Sequence, residues 1–262
     1  MFLLPTLNRT HKLKTFLKSV IDTNNQVEGL ILVDQKDFSL NNEAYIDIEN
    51  NHLPAKWKLV VTRSVSMGAK CREIIPTLDP ITKYIGLLND DHFCKSEKCL
   101  EVLVSKLDGK NFVSANDGTV NAFRLPVTAT AWSVGLLRAI NWAIYPPFLE
   151  HLFIDNLWLE LGKATGCWKM VASAMVEHHH VLFGKAEEDE THKKVYGADF
   201  KTGKPGEMWA KDQANFNSFM QSEFHMVVAK IKQFQDWLPG EAWNPQINRL
   251  KTGLVEKTIS ER

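Results

Sequence analysis

Residues 84–92 read YIGLLNDDH, and this stretch decides the fold. The apolar run from Tyr84 to Leu88 has the composition of a short buried strand, and it stops at Asn89-Asp90-Asp91-His92. Adjacent carboxylates after a buried strand repel each other unless a cation or hydrogen-bond donors offset their charge. Mg²⁺ and Mn²⁺ prefer hard oxygen ligands, so the stretch predicts a divalent metal site, with a helix cap or a solvated turn as the alternative.

Apolar runs before this stretch predict three more strands, at Phe2–Leu4, Gly29–Val33 and Leu59–Val61. A helix is predicted after the first strand, because its apolar residues recur on one helical face: Leu13, Phe16, Leu17, Val20 and Ile21. Alternation of strands and helices predicts an α/β fold with a mostly parallel sheet flanked by helices. Ligands of such sheets bind at the carboxyl ends of the strands, where Asn8-Arg9, Asp34 and Asp90-Asp91 fall, so we expect a nucleotide site there.

The second half of the chain has a looser pattern. It predicts helices near Trp132–Ile140 and Asp155–Thr165, a strand over about Trp168–His178, and one or two amphipathic helices over Met208–Leu238. We interpret residues 1–200 as one α/β domain and residues 201–262 as a C-terminal helical extension packed on it.

Composition narrows the class of protein. The 262 residues are 44% hydrophobic, enough for one large domain, and the 31 basic and 31 acidic residues cancel, so no overall charge indicates a nucleic-acid or membrane partner. Four cysteines without Cys-x-x-Cys spacing and the lack of a membrane span predict a soluble, cytoplasmic protein. Gly-x-Gly-x-x-Gly, Walker lysine and Gly-x-Ser-x-Gly motifs are missing, which argues against dehydrogenases, P-loop enzymes and serine hydrolases.

The polar residues of the second half and of the strand ends each allow a functional and a purely structural interpretation. On an extended chain His178 and His180 face one side and His179 the other, so the pair either binds a metal or phosphate or belongs to a surface histidine run. Asp155 at a predicted helix start either caps the helix or takes a proton from a hydroxyl. Basic residues near the strand ends are candidates for phosphate contacts or plain surface charges: Arg9, Arg63, Lys70 and Arg72.

Taken in order, these motifs resemble the nucleotide-sugar glycosyltransferases of the GT-A (Rossmann-like) fold, family 2 type, over about residues 2–200. The resemblance implies that Pro5–Arg9 and Asp34 contact the nucleotide and that the glycine-containing helix start at 66–72 lines the donor site. The implied donor-binding residues are Pro5, Thr6, Asn8, Arg9, Asp34, Gly68, Arg72 and Asp90. Asn89-Asp90-Asp91 stands where that family keeps a metal-binding Asp-x-Asp, so with asparagine first, Asp91 becomes the main metal ligand.

The second half is similar to glycosyltransferases of phage and prophage genomes. The motifs that carry this likeness are Leu125-Pro126, His151–Trp158, Leu161-Gly162, Glu177–His180, Gly184–Ala186 and Asp189–Thr191. The likeness implies that Asp155 is the catalytic base and that His178 or His180 is the late metal or diphosphate ligand.

The resemblance implies a hexosyl- or pentosyltransferase that uses Mn²⁺ or Mg²⁺ and a nucleoside diphosphate sugar, with a UDP-sugar as the first choice. The acceptor would be a hydroxyl, either of a hydroxymethylated base in phage DNA or of a glycan, and a base at Asp155 predicts inversion at the sugar. A phage-encoded enzyme would act in the host cytoplasm. A nucleotidyltransferase on the same fold and a non-catalytic binding protein are the alternatives.

Overall fold

A computed structural model of the protein describes residues 1–118, 129–179 and 206–237, and eight strands in these ranges form one sheet. The strands are β1 (Phe2–Thr6), β2 (Gly29–Asp34), β3 (Trp57–Thr62), β4 (Tyr84–Leu87), β5 (His92–Cys94), β6 (Phe112–Asn116), β7 (Thr130–Ser133) and β8 (Trp168–His178). Their order across the sheet is β3-β2-β1-β4-β7-β6-β8-β5. Four of the seven pairings are parallel and three, all involving β5 or β7, are antiparallel.

Nine helices lie in the described ranges, seven before the last strand and two after it. They are α1 (Thr10–Asp22), α2 (Gln35–Leu40), α3 (Asn42–Asn51), α4 (Met67–Ile74), α5 (Cys99–Val104), α6 (Val134–Ile140), α7 (Ile154–Thr165), α8 (Glu207–Ser222) and α9 (Phe224–Gln235). Two apolar clusters form the core. One joins α1, α3 and α5 to the sheet, and the other joins α4, α6, α7 and the C-terminal helices α8 and α9 to it.

Close packing explains why glycine begins or interrupts the central strands. A Cβ on Gly29 would lie 2.3 Å from the Trp57 ring, and one on Gly86 would lie 2.2 Å from the Phe2 ring. These two aromatic side chains therefore fill the space that a larger residue would need. The arrangement leaves the carboxyl ends of β1, β2 and β4 side by side at one edge of the sheet.

The predicted secondary structure is confirmed in the first half and needs correction in the second. The predicted strands all form, and so do the helix before β8 and two helices in the tail. Trp132 lies in β7 rather than in a helix, because the helical pattern of α6 begins only at Val134. Ile21 is 50% exposed at the edge of the buried stripe of α1. The predicted domain boundary at residue 200 lies outside the described residues.

All four cysteines are buried free thiols. Burial raises the pKa of Cys71 to about 12 and that of Cys167 to about 11, which keeps both thiols protonated at neutral pH. Over the ranges that the structure describes, we find no helix with the length and apolar composition needed to span a bilayer.

Candidate active site

The first strand and the Asn-Asp-Asp segment meet at the carboxyl edge of the sheet. Thr6 Oγ1 donates to Asp90 Oδ2 at 2.7 Å, and Arg9 Nη1 lies 3.1 Å from Asp90 Oδ1 and 3.8 Å from Asp91 Oδ2. Burial raises the pKa of Asp90, and the charge of Asp91 adds to this, against the lowering effect of Arg9. Three predicted donor-site residues, Thr6, Arg9 and Asp90, are therefore held together, and both oxygens of Asp90 are engaged by protein donors.

Asp91 faces a different partner. His178 Nε2 lies 3.3 Å from Asp91 Oδ1, because β5 pairs with β8 in a register that places His92 opposite His178. Burial raises the pKa of Asp91, but the hydrogen bond and charge of His178, with the charges of His92 and Arg9, outweigh it and bring the pKa well below its usual range. Asp91 is thus an anion at neutral pH, as a metal ligand must be.

His92 is a site residue that sequence reasoning quoted without giving it a role. A ring nitrogen of His92 lies within 4.8 Å of ligand atoms of Asp91 and His178, so the three form a possible metal-binding group. However, His92 Nδ1 accepts the backbone N–H of Asn89 at 3.1 Å, so the neutral ring carries its proton on Nε2. Because its Nε2 carries the proton, a neutral His92 cannot serve as a metal ligand through that atom.

Asn89 replaces the first carboxylate of the Asp-x-Asp pattern. Its side-chain oxygen is buried and has no hydrogen-bond partner among the described residues. An amide oxygen is also a hard ligand, so this atom is available to a cation or to a cation-bound water.

The histidine run divides as the strand alternation predicts at the two positions that can be compared. His178 faces Asp91, whereas His179 Nε2 lies 3.1 Å from Glu177 Oε2 and its ring packs on Phe93 at 4.0 Å between centroids. The backbone N–H of His179 donates to the Asp91 carbonyl at 2.8 Å, which ties β8 to the Asp-Asp segment. His180 lies outside the described residues.

Asp34 forms a buried ion pair that the sequence did not predict. Lys70 Nζ lies 3.3 Å from Asp34 Oδ2 and donates to the Thr6 carbonyl at 2.8 Å, and both side chains are almost fully buried. Burial lowers the pKa of Lys70, while the charge of Asp34 acts in the opposite direction. Asp34 also caps α2 by accepting the Asp37 N–H at 3.0 Å. The ion pair therefore links the ends of β1 and β2 to helix α4.

The loop after β1 is held by a second carboxylate. Asn8 has the left-handed backbone angle φ of 51°, and its N–H donates to Asp37 Oδ2 at 2.7 Å. Asp37 also accepts from the Tyr45 hydroxyl at 2.8 Å. Pro5 is buried inside β1, where it pairs with Leu32 of β2. These contacts fix the path of the loop predicted to lie against the nucleotide.

Gly68 and Arg72 are predicted to line the donor site, and in the structure both contact the segment 146–150. A Cβ on Gly68 would lie 2.6 Å from the Leu149 carbonyl oxygen. The Arg72 guanidinium donates to the carbonyls of Pro146 and Leu149 at 3.0 and 2.9 Å, and to Glu150 Oε1 at 2.9 Å. Both residues therefore hold the segment 146–150 against α4.

Asp155 lies in the first turn of α7, just after this segment. The cap position is taken by Phe153 in a left-handed conformation, without a side-chain cap, so Asp155 is not the N-cap that one reading predicted. Its Oδ1 accepts the N–H of Asn156 at 3.0 Å. Burial raises the pKa of Asp155, while its backbone hydrogen bonds and the charge of His178 act in the opposite direction.

Several motifs of the phage-type resemblance fall on residues that the structure does not describe. They are Leu125-Pro126, Gly184–Ala186 and Asp189–Thr191, together with His180. Predictions that rest on them stay predictions.

The curled eight-stranded sheet, flanked by helices, is a GT-A-like glycosyltransferase fold. No protein-family model and no curated protein matches the chain. Among solved structures, a mannosyltransferase from Pyrobaculum calidifontis, in complex with GDP-Man and Mn²⁺, superposes with a TM-score of 0.54 at 12% identity. The match covers 96% of this chain and 78% of that protein.

Two further solved structures share the architecture. Glucosyl-3-phosphoglycerate synthase from Mycobacterium tuberculosis, in complex with phosphoglyceric acid, has a TM-score of 0.53 at 12% identity over 83% of this chain and 78% of its own. TarS from S. aureus, residues 1–349, has a TM-score of 0.50 at 14% identity over 89% of this chain and 88% of its own. At these identities the likeness concerns the fold alone.

Proposed function

We propose that the protein is a glycosyltransferase that moves a sugar from a nucleoside diphosphate sugar to a hydroxyl acceptor. The observation that carries the proposal is the pairing of Asp91 with His178 at the carboxyl edge of a GT-A-like sheet. Support comes also from the mannosyltransferase of the same fold, whose structure contains GDP-Man and Mn²⁺.

The residues present fit a divalent cation. Asp91 and His178, whose ligand atoms lie within 4.8 Å of each other, would hold it. One imidazole in the set favours Mn²⁺ over Mg²⁺, which prefers oxygen ligands only. When bound, the cation stabilises the negative charge of a diphosphate leaving group.

The remaining residues of the edge would position the donor. Thr6 and Arg9 hold Asp90 in place, and the Lys70–Asp34 pair fixes the adjacent strand ends. His92, with its proton on Nε2, is placed to donate to a diphosphate oxygen. We leave the nucleotide and the sugar open, with UDP- and GDP-sugars as the first donors to test.

Asp155 would act as the general base. Its carboxylate takes the proton of the acceptor hydroxyl while the acceptor oxygen bonds to the anomeric carbon. The bond from that carbon to the diphosphate breaks at the same time, and the nucleoside diphosphate leaves with the electron pair. A single displacement of this kind inverts the anomeric configuration. A raised pKa suits the role, because a stronger base accepts the proton more readily.

Product analysis tests the proposal. A thermal-shift screen of nucleoside diphosphate sugars with Mn²⁺ identifies the donor, since a bound ligand raises the melting temperature. Turnover is then followed with water, glycans and DNA containing hydroxymethylated bases as acceptors. Release of a nucleoside diphosphate is expected. Release of pyrophosphate from a nucleoside triphosphate incubated with a sugar phosphate would instead indicate nucleotidyl transfer, and donor binding without either product would indicate a binding protein.

Two variants test whether Asp91 holds the cation. Asp91→Ala should abolish Mn²⁺-dependent donor binding in calorimetry. Asp108→Ala, which removes an exposed carboxylate paired with Lys169, is the control and should bind normally. Equal donor affinity in both variants would refute the metal assignment.

A further inference from the structure

Asp212 of helix α8 is a fully buried carboxylate, with 0% exposure. Its Oδ1 accepts the backbone N–H of Glu150 at 3.2 Å, and its Oδ2 accepts those of His151 at 2.9 Å and Leu152 at 2.8 Å. A buried charge is costly unless donors compensate it. No lysine or arginine of residues 1–118, 129–179 or 206–237 pairs with Asp212, so these three amides are its compensation in that part of the chain.

The three amides belong to the turn that leads directly into α7. Phe153 follows with a positive φ of 60° and occupies the cap position without a side-chain cap, and Asp155 comes two residues later. A left-handed phenylalanine is strained and persists only where surrounding contacts fix it. Asp212 supplies such contacts from outside the turn, in place of a local cap.

Helix α8 holds the same segment at other points. Asn215 Nδ2 donates to the Phe148 carbonyl at 2.8 Å, and the Phe153 ring packs on Trp209 and Phe216, each at 5.5 Å between centroids. On its other side the segment is held by Arg72 of α4. The segment that leads into α7 is therefore held on one side by α4 and on the other by α8.

We propose that Asp212 is a positioning residue for Asp155, which makes the C-terminal helix part of the catalytic unit rather than an appendage. The inference rests on the proposed function, in which Asp155 is the general base. Asp212 touches no reacting atom in this account. It fixes the backbone from which the base projects, and a base displaced by about 1 Å loses roughly 100-fold in rate.

Asp212→Asn tests this with little change in shape. One carboxylate oxygen becomes an NH₂ group, which repels the backbone N–H groups instead of accepting from them. Nucleoside diphosphate release should fall roughly 10- to 100-fold. Donor affinity should stay within about twofold, because none of the residues proposed to hold the donor or the cation lies on α8 or in the turn before α7. Asp236→Asn, an exposed position after α9, is the matched control and should keep both values.

A double-mutant cycle separates positioning from plain stabilisation. If Asp212 acts through Asp155, Asp212→Asn has no further effect on turnover in an Asp155→Asn background. An equal fold loss in both backgrounds, or unchanged turnover for Asp212→Asn alone, would overturn the inference. If Asp155→Asn itself keeps full turnover, the proposed base fails first, and that outcome is distinct from the other two.

A second variant covers the case in which Asp212→Asn does not fold. Asn215→Ala removes one α8 contact to the same segment and leaves the buried carboxylate satisfied. It should show a smaller loss of turnover with unchanged donor affinity, again only when Asp155 is present. A loss that persists in the Asp155→Asn background would count against positioning.

Discussion

Replacing Lys70 by methionine removes the cation from the buried pair at the donor edge. Methionine is similar in length but has neither the charge nor the donors of lysine. The variant leaves the Asp34 side chain at 4% exposure, and among the described residues only the Asp37 N–H, at 3.0 Å, still donates to it. It also removes the 2.8 Å hydrogen bond to the Thr6 carbonyl.

The expected loss follows from these contacts. Breaking a buried ion pair by removing one partner costs about 3–5 kcal/mol of unfolding free energy, because the other charge stays buried and unpaired. Most of the hydrogen-bond loss to Thr6 is included in that figure, so we do not add it. For a chain of this size each kcal/mol lowers the melting temperature by about 2–4 °C, which gives a decrease of roughly 6–20 °C.

Urea unfolding followed by circular dichroism measures this loss. Lys169→Met is the matched control, since Lys169 and Asp108 form an exposed pair with 55% and 50% side-chain exposure. Exposed pairs contribute less than about 1 kcal/mol. The double variant Lys70→Met/Asp34→Asn should recover part of the stability, because it removes the orphaned charge. A loss for Lys70→Met no larger than for Lys169→Met would refute the reasoning.

Four further predictions concern the proposed base, the pH dependence of turnover, the histidines and packing. Asp155→Asn should lower turnover by about two to four orders of magnitude and leave donor affinity and melting temperature near those of Glu160→Gln, a carboxylate-to-amide control on the same helix. In the parent protein turnover should fall with decreasing pH through a pKa above the usual range of an aspartate, because burial raises the pKa of the base, which must be deprotonated. His178→Ala should weaken Mn²⁺-dependent donor binding in calorimetry far more than His179→Ala, and equal effects would contradict the strand register. Gly162→Ala should lower stability by about 2 kcal/mol in thermal melts, because a Cβ there lies 2.5 Å from a β8 side chain and this overpacking exceeds the helix-propensity gain.

Local sequence predicts the first half of the fold well because its strands are buried on both faces. β1 and β2 are continuous apolar runs, and helix α1 keeps a clear apolar face between them. The second half lacks such signals. β5 is only three residues long, and β7 runs into α6 without a turn residue, so its last residues share the helical pattern that follows.

Sequence likewise predicts some residues of the candidate site and not others. Asp91 and His178 could be found from sequence, because paired carboxylates after a strand and alternating histidines are local patterns. Lys70 and Asp212 could not be given their roles. Each lies on a helix of ordinary pattern. The partners of Lys70 are 64 and 36 residues away, and those of Asp212 lie about 61 residues away in a turn without a motif. Long-range contacts of this kind leave no mark on the sequence around the residue itself.

The two adjacent aspartates show how neighbours in sequence take different roles. Asp90 and Asp91 are consecutive residues of the turn between β4 and β5, and Arg9 Nη1 lies 3.1 and 3.8 Å from their carboxylates, yet their other partners differ. Asp90 meets Thr6 and Arg9, and burial raises its pKa, while Asp91 meets His178, which lowers its pKa. Their environments push the two pKa values apart, which suits two different roles. Asp90 orders the strand ends, and Asp91 stays ionised, as the proposed cation site requires. Under the proposed function, His178 of β8 would supply the ligand that a first aspartate would give, so the asparagine before the two aspartates is compatible with the cation site.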